Sequence, residues 1–259
     1  MPPELVMSYV NFCSARQNYE NDTLDLREHS FLYPTLLLPS LGFMEQNELK
    51  AVVHHEVHGY VETIINPSRW TEKSYVPFRK LPLNKSKREK ILNEIDTLLK
   101  YPIGGRNAFD YALYELTENI YVHSEFKNGY IMAQRYQKKG FGEICFLDDG
   151  ITIPGNFKKY GLDYEDDCDA IKQAINGIST KDEFNHRGFS LNTIMSSFTK
   201  YGGQMFIASG YGALYVNSVN QTMYRLADKY KLDGTLVSLR VSKKVIMEHE
   251  QRGRRKLND

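Results

Sequence analysis

The chain has 259 residues, 41% of them hydrophobic and 25% charged, with 33 basic against 32 acidic side chains for a formal net charge of +1. That is enough apolar chain for one or two ordinary cores, and it leaves no global field to draw in nucleic acid or acidic lipid. No run approaches the ~18 apolar residues that span a bilayer, the opening MPPELVMSYVNF lacks the pattern of a signal peptide, and Cys13, Cys145 and Cys168 lie far apart without metal-ligand spacing. A cytoplasmic protein is therefore expected, with neither membrane nor nucleic acid as a partner.

Residues 1–70 read as a small α/β unit. TLDLR (23–27) alternates apolar and polar residues as a short strand does, and FLYPTLLLPSLGFMEQNE turns into an apolar helix whose first turn suits Pro34. AVVHHEVHGYVETII (51–65), rich in β-branched residues, is expected to add one or two strands. In a strand His54 and His55 point opposite ways, so these two and His58 make no metal site. Residues 66–84 hold three prolines and no sustained period, which predicts a surface connector, with the domain boundary at 71–84.

From Lys85 the pattern becomes helical in KREKILNEIDTLLKY, breaks at PIGGRN, and resumes as a helix over 108–126. Strands are predicted at 129–137 and 142–149 around a Lys-Lys-Gly turn, then short helices at DAIKQAINGI and LNTIMSSFTKY, then strands at QMFIASG, ALYVNSV and TLVSLRV. The runs NKSKREK and QRGRRKLND read as a solvated face and, within 246–259, a charged tail. The fold class expected is α+β: an α/β sandwich over 85–245 with helices on one face of a mixed sheet, preceded by the smaller α/β unit.

Four stretches point to chemistry. In ALYELTENIYVHS (112–124) the residues Glu115, Asn119 and His123 recur every four positions, so a helix carries them on one face. LDDGITIPG (147–155) sets Asp148, Asp149 and Gly150 at the end of an apolar strand. HRGFSLNTI (186–194) is a polar loop opening a helix, whose free N–H groups would face an anion. GTLVSLRV (234–241) puts Thr235 at the head of a late strand, and no Walker A string is present anywhere.

In this order and at these intervals the four stretches resemble the motifs of the GHKL family, the Bergerat-fold ATP-binding domains of gyrase, MutL, Hsp90 chaperones and histidine kinases. The resemblance covers about residues 85–243. It implies ATP and Mg²⁺ as ligands, with Asn119 holding the metal and Glu115 serving as general base in a hydrolysing member. It implies Asp148 as the reader of the adenine amine, Gly150 at the bend, and Thr152 where the family has a second glycine. Arg187, Gly188, Ser190 and Leu191 fall in the second glycine-box turn, Ser190 again replacing a glycine, and Thr235 lies in the closing strand. His123 either nears the phosphates or caps its helix, Lys181 is a candidate phosphate partner, and Glu118, off the stripe, is structural or solvent-facing. About 160–185 would form a mobile lid.

TLDLREHSFLYPTLLLPSL weakly resembles a STAS-like module, which would make Thr35 or Ser30 a phosphorylatable hydroxyl. Two functions remain open: an ATPase or serine/threonine kinase acting as a switch on a protein partner, or a non-catalytic ATP-binding scaffold, which the replaced glycines favour. The same reading admits a homodimer.

Overall fold

The computed structural model describes residues 2–65, 74–99, 106–178, 191–200 and 202–242. Its centre is a seven-stranded sheet: β3 (Tyr75–Lys80), β4 (Gly129–Tyr136), β5 (Phe141–Asp148), β6 (Gln204–Gly210), β7 (Gly212–Val216), β8 (Gln221–Arg225) and β9 (Leu232–Ser242), in the order β3-β4-β5-β9-β6-β7-β8. Every pairing in it is antiparallel. The mixed sheet expected from sequence is corrected accordingly; the one described parallel pair, β1 (Thr23–Leu26) with β2 (Lys50–Val53), stands apart from it.

Along β5 the buried side chains alternate between faces. Ile144 and Phe146 join one apolar cluster, Cys145 and Leu147 the other. A strand buried on both sides demands a cover on both sides. One comes from α4 (Glu89–Leu99), α5 (Arg106–His123), α7 (Asp167–Ile175) and α8 (Leu191–Thr199), through Ile95, Leu116, Ile171 and Phe198 among others. The second comes from α1 (Glu4–Gln17), α2 (Pro34–Asn47) and α3 (His58–Ile65), through Tyr9, Leu37 and Ile64. The α+β class holds, but helices lie on two faces rather than one.

The first 65 residues are therefore continuous with the main core. Where α2 meets the sheet, a polar knot is buried: Thr35 donates from its N–H and its hydroxyl to Glu143 Oε1, at 2.9 and 2.7 Å. The Thr35 hydroxyl also lies 2.6 Å from Ser238 Oγ, while Arg240 holds Glu143 Oε2 through two N–H groups and reaches Glu4 on α1. Tyr9 of α1 donates to the carbonyl of Tyr230, just before β9.

Two local expectations are overturned. Residues 58–65 form α3, because Val57, Val61 and Ile64 at helical spacing face the cluster beneath them and outweigh β-branched propensity. Residues 75–80, read as connector, form the edge strand β3, where Pro77 is tolerated beside a register shift. Helix α1, the strand β8 and the short helix α6 (Ile153–Lys159) were not anticipated.

Candidate functional site

Helix α5 is set on the sheet by Leu113, Leu116 and Ile120, which are buried in the cluster that contains Ile144 and Phe146 of β5. The rotation that buries them leaves Glu115, Asn119 and His123 half-buried along one stripe, as their spacing predicts. Glu118 turns the other way. It is buried, holds Arg88 at 2.8 Å and pairs with Lys85, so it is structural and not solvent-facing. Burial alone would raise its carboxyl; the two cations more than offset that and hold it below the ordinary value.

Strand β5 ends in Asp148, on the α5 side of the sheet with Ile144 and Phe146. The register sets Thr235 of β9 directly beside it and Ser209 of β6 beside Thr235. Ser209 Oγ lies 3.0 Å from Thr235 Oγ1 and accepts the N–H of Ile153 at 2.9 Å. Three polar side chains thus form a row across the ends of three neighbouring strands, at the edge of an otherwise apolar face.

The turn after β5 closes on the end of α5. The N–H of Ile151 donates to the carbonyl of Ser124 at 2.6 Å, and Asn156 Nδ2 donates to the carbonyl of His123 at 3.0 Å. Carbonyls at a helix C-terminus lack intrahelical donors, and here the chain that carries Asp148 supplies them. The approach is close enough to require glycine: a Cβ on Gly150 would stand 1.9 Å from the Ser124 carbonyl oxygen. Gly234, at φ +123°, is held as tightly, since its Cβ would meet the Asp148 carbonyl oxygen at 2.0 Å.

The two adjacent aspartates differ in kind. Asp149 accepts the N–H groups of Lys127 and Asn128 and the Asn128 side-chain amide, so it is spent on the turn before β4. Asp148 is buried and accepts the N–H of Gly150 at 3.0 Å. Burial pushes its carboxyl up to about 7, with neighbouring Asp149 adding to the rise and the Gly150 N–H opposing it.

Thr152 is structural, since its hydroxyl accepts the N–H of Gly155 at 2.9 Å and so caps α6. Leu191 opens α8, while Lys181, Arg187, Gly188 and Ser190 lie outside the described residues. Of the expected lid, residues 167–175 form α7, whose Ala170 and Ile171 are fully buried against the sheet side. That part is packed cover and not a free flap. Thr35, one of the two hydroxyls that the STAS-like resemblance offers for phosphorylation, is wholly buried in the knot at the start of α2, whereas Ser30 is exposed. Among the described residues no group of three or more His, Cys, Asp or Glu side chains could hold a metal, the His54, His55 and His58 segment included.

Sequence reasoning missed Ser209, Asn156 and Ser124. Ser209 was visible as the hydroxyl ending the apolar run QMFIASG, one strand over from Thr235. The other two carry no signal of their own, because their role depends on where the 148–156 turn meets α5. Comparison of the chain with family models, with curated proteins and with solved structures found no match. Among the described residues no helix is long and apolar enough to cross a membrane.

Proposed function

We propose that this chain binds Mg-ATP between α5 and the ends of β5 and β9, in a Bergerat-type arrangement of its α+β fold, and uses the nucleotide as a regulatory switch toward a protein partner. One observation carries the reading: a buried carboxylate, Asp148, stands beside Thr235 on the sheet face that α5 covers, and a glycine turn locks that strand end to α5.

The donor set fits the ligand. A carboxylate in a buried corner accepts from the adenine amine and would meet the guanine carbonyl acceptor to acceptor, so the site favours adenine. Asn119 offers an amide oxygen from a half-buried position on α5. A hard cation that keeps most of its shell from phosphate and water needs only one such protein ligand. When bound, Mg²⁺ supplies charge neutralisation and a template for the phosphate oxygens. Glu115, one turn before Asn119 on the same stripe, would take the proton of an attacking water or hydroxyl, as ATPase or serine/threonine kinase chemistry requires.

A second reading, a non-catalytic ATP-binding scaffold, is favoured by Thr152. Its hydroxyl is engaged in capping α6 where a glycine would leave the turn free to move. Calorimetry with Mg-ATP beside turnover assays, on wild type, Asp148→Asn and Glu115→Ala, separates the readings. The switch enzyme requires that Asp148→Asn lose binding and that Glu115→Ala keep binding and lose turnover. Binding without turnover in the wild type, with every partner tried, selects the scaffold; no binding at all removes both.

A further inference from the structure

Strand β8 is one edge of the seven-stranded sheet and β3 the other. A bare edge offers unpaired N–H and C=O groups to any chain that can lie along it, and folded proteins blunt such edges with proline, bulges or charge. Strand β3 is blunted in all three ways, by Pro77, by a register shift between Val76 and Arg79, and by the cations of Arg79 and Lys80. Strand β8, QTMYR, has no proline and pairs with β7 without a shift. Its single charge, Arg225, stands at its end and is held by Asp166 at 2.7 Å.

The parity of the ladder fixes which groups of β8 look outward. The N–H of Leu226 donates to the Tyr211 carbonyl and the N–H of Asn217 to the Asn220 carbonyl, at the two ends of the β7–β8 hairpin. Bonded and non-bonded pairs alternate along an antiparallel ladder, and the register between these two ends is unbroken. Thr222 and Tyr224 therefore bond inward to β7, while Gln221, Met223 and Arg225 turn their N–H and C=O groups away from it. Among the described residues these outward backbone groups have no hydrogen-bond partner, and Gln221, Thr222 and Arg225 are exposed.

We propose that β8 pairs with β8 of a second copy, antiparallel about a two-fold axis at Met223, to give a closed homodimer with one continuous sheet. The strand is complementary to itself in that register. Met223 lies opposite Met223, and Gln221 lies opposite Arg225 of the second copy at both ends, so the two edges satisfy one another in six hydrogen bonds. No like charges face each other across the axis, and an amide that can accept lies opposite each guanidinium. The same axis carries the tip of the hairpin, where Val219 is 83% exposed, alongside Leu226 and Ala227 of the second copy. The pairing uses no residue of the proposed nucleotide site.

Sedimentation velocity on the full chain, without nucleotide, is the test. Wild type should dimerise in the micromolar range. Gln221→Pro deletes an outward donor at both ends of the pairing from an exposed position, so it should weaken association about tenfold or more with the far-ultraviolet circular dichroism unchanged. Gln221→Lys sets a cation opposite Arg225 of the second copy and should weaken association about fivefold at low salt, whereas Gln221→Glu should strengthen it by a similar factor. A wild type that stays monomeric to about 300 μM overturns the inference and leaves the edge to an extended segment of another protein. A dimer whose affinity none of the three substitutions changes also overturns it, since the copies then meet through another surface.

Discussion

Thr35 and Glu143 are 108 residues apart in the chain and meet through two hydrogen bonds to one carboxylate oxygen, in a corner from which water is excluded. Glu143 also holds Arg240, which is 6% exposed, so the knot joins α2, β5 and β9 into one unit. Arg240→Met would leave Glu143 charged, buried and short of its cation. The expected cost is about 3–5 kcal/mol, against about 1–2 kcal/mol for Thr35→Val, which removes only hydroxyl contacts. Urea unfolding followed by far-ultraviolet circular dichroism and by tyrosine fluorescence should show one coincident transition for wild type, because both sheet faces share β5. Two separated transitions would contradict a common core.

Asp148 sets a pH dependence whose sign follows from its environment. Its carboxyl titrates at about 7 when folded against an ordinary 3.8. Between those values the folded chain binds a proton that the unfolded chain has released, so the contribution of Asp148 to stability falls as pH rises from about 4 through 7. Asp148→Asn removes the buried charge; it should therefore melt about 5 °C above wild type at pH 8 and show no advantage near pH 4. The measurement is a thermal melt across that range.

The same titration bears on the ligand. If Asp148 reads adenine as proposed, the ionised carboxylate is the stronger acceptor for the amine, so ATP affinity should drop as pH falls below 7. The protonated acid donates, which removes the clash with guanine, and preference for ATP over GTP should narrow in the same interval. Competition binding at pH 6 and pH 8 reads both effects, and a preference that is flat with pH would exclude Asp148 from the base contact.

Much of this arrangement was legible in one dimension. The stripe of Glu115, Asn119 and His123 is a matter of helical period, and it survives because Leu113, Leu116 and Ile120 bury the adjoining face. The β4–β5 hairpin was legible from its Lys-Lys-Gly turn, where Gly140 takes φ +72°. The choice of α3 over strand was not, because the β-branched Val57, Val61 and Ile64 favour a strand by propensity until a partner surface rewards their helical spacing. Nor was the second helical layer, although β5 signals it: FGEICFLD has no outward polar position between Ile144 and Leu147, and so it declares two buried faces. The buried ion pair was illegible because Glu143 and Arg240 look like surface residues until register brings them opposite each other.

Gly150 tests the junction between sheet and helix. Its φ is not in the left-handed region, so backbone conformation does not demand glycine; only the Ser124 carbonyl, 1.9 Å from where a Cβ would stand, does. Gly150→Ala must push the turn off α5 and weaken the Ile151 bond to the same carbonyl. The expected loss is about 3 kcal/mol in denaturant, with ATP binding lost in the folded fraction. Unchanged stability would mean the turn does not sit on α5.

Asn119 and Glu115 share a stripe but are assigned different work, and magnesium distinguishes them. If Asn119 supplies an oxygen to the cation, then Asn119→Ala should weaken Mg-ATP by about tenfold while leaving metal-free ATP, measured in chelator, almost unchanged. Glu115→Ala should leave the Mg-ATP to ATP ratio as it is in wild type, because a general base contributes at the reaction and not at the ground-state metal. Both side chains are half-buried and neither is part of the apolar face of α5, so both variants should fold with melting temperatures near wild type. A magnesium dependence that Asn119→Ala leaves intact would move the metal contact elsewhere on the chain.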